Sequence, residues 1–201
     1  MNHSGAFFTG IIDGDNLTAS GTSGIFADKN VGSNKAVALS GTNYGGTDVE
    51  NYTFVDQTTT AAGISRLGSV MWIGGTTGDW SDPANWAGGA IPDLANVANV
   101  IIPNGVTPKF DSNVTGPVDI DSLTGGNFQI NGGTLNVAHD ATLDDYTQNG
   151  GIFNVGGNFT FNHATVNDGT LDVTGNASNG TFTQNGGNVD VGGNVNVTDF
   201  E

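Results

Sequence analysis

Four stretches of the sequence decide the fold: NGGTLNV at 131–137, NGGIFNV at 149–155, NDGTLDV at 167–173 and NGGNVDV at 185–191. Each begins 18 residues after the one before, so four coils run from 131 to 201, the last one residue short. Aligned on this period, the apolar residues fall into columns. Position 5 holds Leu135, Phe153, Leu171 and Val189, and position 7 holds Val137, Val155, Val173 and Val191. Position 11 holds Ala141, Phe159, Ala177 and Val195, and position 16 holds Tyr146, Ala164, Phe182 and Phe200. Position 13 holds Leu143, Phe161 and Val197 but is broken by Asn179, which predicts an early turn in the third coil. The alternation of these positions with polar ones is that of short strands with one face inward. Gly133, Gly151, Gly169 and Gly187 recur at position 3, where a tight turn calls for positive φ. Asp168, where the other coils have glycine, is expected to tolerate the left-handed region. One coil alone has nothing to bury its apolar face against, whereas stacked coils do, each adding about 4.8 Å along the axis. The expectation is a right-handed parallel β-helix with Asn131, Asn149, Asn167 and Asn185 stacked at one corner, sharing amide hydrogen bonds.

Upstream the pattern loosens. GPVDIDSLTGGNFQI sets Val118, Ile120, Leu123, Phe128 and Ile130 in similar order, displaced by one residue at its first strand. Val97, Val100 and Ile102 in NVANVIIPNG suit an opening strand. Before them lies GDWSDPANW, 78–86. Trp72, Trp80 and Trp86 are the only tryptophans in the chain and all fall in this neighbourhood. A β-helix exposes unpaired strand edges at its ends, and large aromatics suit a lid that buries much area with few residues. The lid is the favoured reading, with Ser81 or Asp82 starting a short turn around Pro83. The alternative is a glycan contact made by Trp80, Trp86, Asp79 and Asp82.

Composition narrows the functions. Twenty acids against four bases (Lys29, Lys35, Arg66 and Lys109) give a formal charge of −16, which disfavours nucleic acid and anionic membrane surfaces as partners. The absence of cysteine removes disulfides and thiolate chemistry. The N-terminus, MNHSGAFFTGIIDGD, lacks a basic segment and a long apolar run, so an export signal is expected elsewhere. In the first third, KAVALSG and NYTFVD alternate like strands, GSNK and YGGTD suit turns, and TTTAAGISRLGS reads as a final strand and a linker.

Two resemblances follow from quoted residues. Residues 72–92 resemble a W-x-G-G-x-x-G-x-W-x-x-x-x-N-W-x-x-G-x-x-P pattern found at the start of β-helical repeats in large exported bacterial adhesins, of autotransporter and two-partner-secretion type. IIDGDNLTASGTSG, GIFADKNVGSNKAV and LSGTNYGGTDVENYTF resemble the C-terminal part of a YDG domain, a small β module of filamentous-haemagglutinin-like adhesins. The Tyr-Asp-Gly motif itself is absent, and residues 1–12 stand where its first strand is expected. The implied organisation is a partial, β-sandwich-like YDG module at 1–67, a Trp-rich cap at 68–103 and a β-helix at 104–201. The unfinished look of both ends suggests a segment of a longer chain. The resemblance implies a structural or adhesive role at the bacterial cell surface. Its partners would be a surface glycan or protein and an outer-membrane secretion partner, and it brings no catalytic, cofactor or metal residues.

Competing readings are weaker. A polysaccharide lyase needs a basic residue for proton abstraction, and no Lys or Arg follows Lys109. A polysaccharide hydrolase would have Asp140, Asp144 and Asp145 to draw on, but these acids recur only partly between coils. A calcium-stabilised roll would use Asp172 and Asp190 at position 6, yet the third glycine of the nonapeptide motif is missing. Thr147, Thr165 and Thr183 form a threonine column of the kind ice binding uses, which is also ordinary on β-helices. His139 and His163 fall in different outward columns, and His3 lies in the N-terminal tail, so no metal set converges.

Overall fold

The computed structural model describes residues 8–201. The chain is all-β, with 54% strand against 5% helix, and its second part is a parallel β-solenoid of about five turns of roughly 18 residues. It divides into two compact units, one ending at Ser65 and the other running from Arg66 to Glu201.

The first unit contains β1 (Thr18–Ser20), β2 (Ser23–Phe26), β3 (Gly32–Ser40), β4 (Asn43–Gly45) and β5 (Thr59–Ile64). β3 lies between β2 and β5 in an antiparallel sheet, and β1 pairs antiparallel with β4. Sequence patterning misplaced two features here. GSNK is part of β3, where Asn34 takes φ 58° and the register shifts between Gly32 and Lys35, so it is a bulge and not a turn. NYTFVD is not a paired strand. It follows a 3-10 turn at Val49–Asn51, and its aromatics pack instead: Phe54 stacks on Tyr44 at 3.9 Å, and the Tyr52 hydroxyl donates to Asp15 while accepting the Ile12 N–H. Of the first strand expected in residues 1–12, residues 1–7 lie outside the described residues, and 8–12 are irregular.

The solenoid opens earlier than the repeat does. Residues read as a linker form β6 (Leu67–Met71), followed by β7 (Thr77–Asp79), β8 (Val97–Ile102) and β9 (Thr107–Phe110). Next come β10 (Pro117–Ile120), β11 (Ser122–Gly125), β12 (Phe128–Ile130) and β13 (Thr134–Val137). The long strands β14 (Ala141–Val155) and β15 (Phe159–Val173) bend through the corners. β16 (Ala177–Ser178), β17 (Thr181–Gln184), β18 (Asn188–Val191), β19 (Val195–Asn196) and β20 (Asp199–Phe200) complete the stack. Every pairing between these strands is parallel, and an isolated antiparallel bridge joins Trp72 to Trp86. One ladder runs β6–β8–β11–β14–β15–β16–β19, and others link β7–β9–β12–β14 and β10–β13–β14.

The registers match the sequence columns. Leu135 pairs with Phe153, Phe153 with Leu171 and Leu171 with Val189; Tyr146, Ala164, Phe182 and Phe200 pair in the same way. Val118 pairs with Leu135 but Leu123 with Ala141, which is the one-residue displacement in the looser coil. The third coil turns early: β16 stops at Ser178, and Asn179 takes φ 84°. The inward columns form one continuous core from Val70 to Phe182. Column 18, which patterning did not single out, also faces inward: Ile130, Gln148 and Val166 are fully buried.

The position-3 glycines have φ of 75°, 72°, 94° and 71°, as a left-handed turn demands. A Cβ on Gly151 would stand 2.6 Å from the Gly133 carbonyl oxygen, so close stacking as well as φ excludes a side chain there. Asp168 does not use the left-handed region; only Asn34 and Asn179 do among the described non-glycine residues. The register instead slips locally so that Asn149 pairs with Asp168, and the Asp168 carboxylate accepts the Gly169 N–H at 2.7 Å.

Candidate functional site

The distinctive places are two corners of the coil and the tryptophan-rich mouth. At the first corner the asparagine column hydrogen-bonds as a ladder. Asn149 Nδ2 donates to Asn131 Oδ1 at 2.9 Å, Asn167 to Asn149 at 2.8 Å and Asn185 to Asn167 at 2.8 Å. Asn131 extends it upward by donating to Asp111 Oδ1.

A second ladder, at position 10, was hidden in the sequence. Asp140 Oδ1 accepts the Asn158 backbone N–H at 2.7 Å, Asn158 Oδ1 that of Asn176 at 3.0 Å, and Asn176 Oδ1 that of Asn194 at 2.8 Å. Here the side chain of one coil satisfies the main chain of the next, which a strand bending at a corner leaves without a partner. The column continues upstream, with Ser122 donating to Asn99 Oδ1 and Asn99 Nδ2 to the Gly68 carbonyl. Only the spacing of Asp140, Asn158, Asn176 and Asn194 could have revealed it, and in so asparagine-rich a chain that spacing did not stand out.

The acids weighed for hydrolysis belong to the same architecture. Asp144 Oδ1 accepts from Asn162 Nδ2, and Asp145 Oδ1 meets His163 Nδ1 at 2.8 Å. His139 Nδ1 lies 3.0 Å from Asp121 Oδ1. The two histidines are exposed in separate columns, while His3 lies outside the described residues. Asp172 and Asp190 are neighbours across β15 and β18 and exposed. Among the described residues, no three His, Asp or Glu side chains cluster in a way that would hold a metal ion. Thr147, Thr165 and Thr183 pair in one column, and Thr124, Thr142, Thr160 and Ser178 form another.

The tryptophans are inside the first turn. Trp72, Trp80 and Trp86 are 2%, 1% and 0% exposed. Trp86 lies edge-on to Trp72 and Trp80, at 5.1 and 4.8 Å, and Trp80 continues to Phe110 and Phe128 at 5.4 and 5.6 Å. The Trp86 indole N–H donates to the Trp80 carbonyl at 2.7 Å, and that of Trp72 to the Gly75 carbonyl at 3.0 Å. Asp82 caps a 3-10 turn at Pro83–Asn85 by accepting the Ala84 N–H, which seats Trp86. Asp79 and Asp82 are exposed, but rings this buried have no face to offer a sugar, so the glycan contact through Trp80 and Trp86 is not what the structure builds.

The YDG domain family model matches residues 2–61. The match begins upstream of the segments that suggested it and ends before the tryptophans. No curated protein and no solved structure is detectably similar to the chain. By fold and motif the molecule is therefore a repeat protein of the parallel β-solenoid class. The stretch that matches the YDG domain model precedes its coils.

Proposed function

We propose that this chain is a structural and adhesive segment of a large secreted bacterial surface protein, of the filamentous-haemagglutinin-like or autotransporter type, without catalysis of its own. The observation that carries this reading is the joining of a YDG domain to an in-register solenoid. The coil acids support it, because Asp140, Asp144 and Asp145 are engaged as rungs between coils and not set across a cleft. A rigid stack of coils suits a stalk that projects a binding surface from the cell, and the strong negative charge directs that surface away from nucleic acid. The partner is a glycan or protein of a host or neighbouring cell, and the full chain is expected to need an outer-membrane secretion partner.

Antibodies raised to the chain should label intact cells of the producing bacterium, and antigen confined to the cytoplasm would refute the assignment. A turnover assay on acidic and neutral polysaccharides should give no product. Reproducible product that disappears in Asp144→Asn would make the chain an enzyme.

A further inference from the structure

We infer that Asn104 is a site of spontaneous self-modification through succinimide formation, and that the corner ladder shields its own asparagines from this reaction. Five Asn–Gly steps occur in the chain, beginning at Asn104, Asn131, Asn149, Asn179 and Asn185. Such a step is chemically exposed because glycine has no side chain to hinder its peptide nitrogen. That nitrogen attacks Cγ of the asparagine side chain. A C–N bond forms, the peptide N–H proton is lost and ammonia leaves with the old amide nitrogen. Water then opens the five-membered ring at either carbonyl, giving aspartate or its isopeptide-linked isomer. The reaction needs a free amide and a peptide able to swing toward it.

The five steps differ sharply on both counts. Asn131 and Asn149 are held at both ends, their Nδ2 donating and their Oδ1 accepting. The glycines after them are pressed on the preceding coil: a Cβ on Gly150 would meet the Asn131 carbonyl oxygen at 3.0 Å, and one on Gly132 the Ser112 nitrogen at 3.1 Å. The Asn185 side chain is held through Nδ2 alone, although the Gly186 N–H, the attacking nitrogen, reaches the Val166 carbonyl at 3.3 Å. Asn179 has a side chain outside the ladders, but its peptide is anchored, its N–H to the Asn196 carbonyl and the Gly180 carbonyl to the Thr198 N–H. Asn104 has neither restraint. It is exposed in the turn between β8 and β9, and no atom lies within 4 Å of a Cβ placed on Gly105. The expected order is Asn104 first, Asn179 and Asn185 next, and Asn131 and Asn149 last. An asparagine-rich surface that must endure outside the cell thus keeps most of its Asn–Gly corners intact by stacking them.

The distribution of basic residues makes the test direct. Trypsin cuts after Arg66 and Lys109, so peptide 67–109 carries Asn104 and no other Asn–Gly step, while 110–201 carries the other four. The intact folded chain is aged in mildly alkaline buffer and then digested. Mass spectrometry should show the exchange of NH for O, with isoaspartate, in 67–109 first, and Asn104→Gln should abolish it there. Asn167→Ala, which frees Asn149 Oδ1, should raise conversion in 110–201 of protein whose tryptophan emission is still native. Equal or faster conversion of 110–201 in the unmodified chain would overturn the proposal, as would an unchanged 67–109 peptide.

Discussion

The two units solve the problem of a small β fold in opposite ways. In the solenoid an inward column recurs on every coil, and buried side chains extend without a break from Val70 to Phe182. In the first unit Val37 is the one buried side chain among the described residues, while Ile12, Ile25 and Val55 are 69%, 66% and 93% exposed. That unit relies on surface polar pairs, Tyr52 with Asp15, Tyr44 with Asp56 and Lys35 with Asp28. The lesson is that stacking multiplies a small apolar investment. Coil 149–166 supplies six inward side chains, Phe153, Val155, Phe159, Phe161, Ala164 and Val166, and each is covered by its counterparts in the neighbouring coils. The comparison can be measured within one molecule, because all three tryptophans lie in the solenoid and their emission reports that unit alone.

The largest effect should come from the middle of the stack. Phe159 is fully buried and lies edge-on to Tyr146 and Phe153 at 5.3 and 5.7 Å. Phe159→Ala should cost about 3–5 kcal/mol of solenoid stability in denaturant titrations followed by tryptophan emission. A loss below about 1 kcal/mol would mean that the columns do not carry the fold.

Next come the corners and the plug. Gly151→Ala forces a side chain onto φ 72° and against the Gly133 carbonyl, and backbone strain alone is about 1–3 kcal/mol. In the plug the indoles should separate. Trp86→Phe loses the bond to the Trp80 carbonyl and leaves that acceptor buried, at about 1–3 kcal/mol. Trp80→Phe removes an N–H that is buried without a partner, so it should be markedly milder. Equal losses in thermal melts of the two variants would show that ring size, not hydrogen bonding, decides.

What was legible in the sequence follows from the same contrast. The regular coils were readable because Leu135, Phe153, Leu171 and Val189 repeat a chemistry at a fixed interval. The first turn was not, because the tryptophan segment, with β7 inside it, separates β6 from β8 and shares no period with the later coils. Gln148 escaped notice because a polar residue does not announce an inward position. It is buried nonetheless, accepting from the Tyr146 hydroxyl and donating to the Gly151 and Thr170 carbonyls. In the first unit NYTFVD alternates as a strand does, but aromatic stacking and the Tyr52 bonds took its side chains elsewhere. The position-10 ladder had no apolar signature at all.

The smallest effect belongs to the first unit and depends on pH. The Lys35 ammonium, with the Asn30 N–H, holds the Asp28 carboxyl below its usual value, and the Asn16 N–H, with the Thr47 hydroxyl, does the same for Asp48. These groups favour the folded unit above the ordinary aspartate range and lose that contribution as pH falls through their lowered values. The tyrosines work in the other direction. The bond to Asp56 raises Tyr44 and the bond to Asp15 raises Tyr52, because each phenol must stay protonated to donate. A phenol raised in the folded state contributes fully below about pH 10 and loses its contribution as pH rises through its folded value. Asp28 is exposed, and Asp48, Tyr44 and Tyr52 are half-buried, so solvent screens these pairs in part. The first unit should nonetheless soften at both extremes, whereas the Asn131–Asn185 ladder, built of neutral amides, should not respond to either. Amide exchange resolved by segment is the measurement: protection in residues 8–64 should narrow to intermediate pH relative to 131–191, after correction for intrinsic rates. Tyr52→Phe should lower protection around Ile12 at neutral pH and flatten its alkaline decline, and an unchanged alkaline decline in that variant would remove Tyr52 from the account.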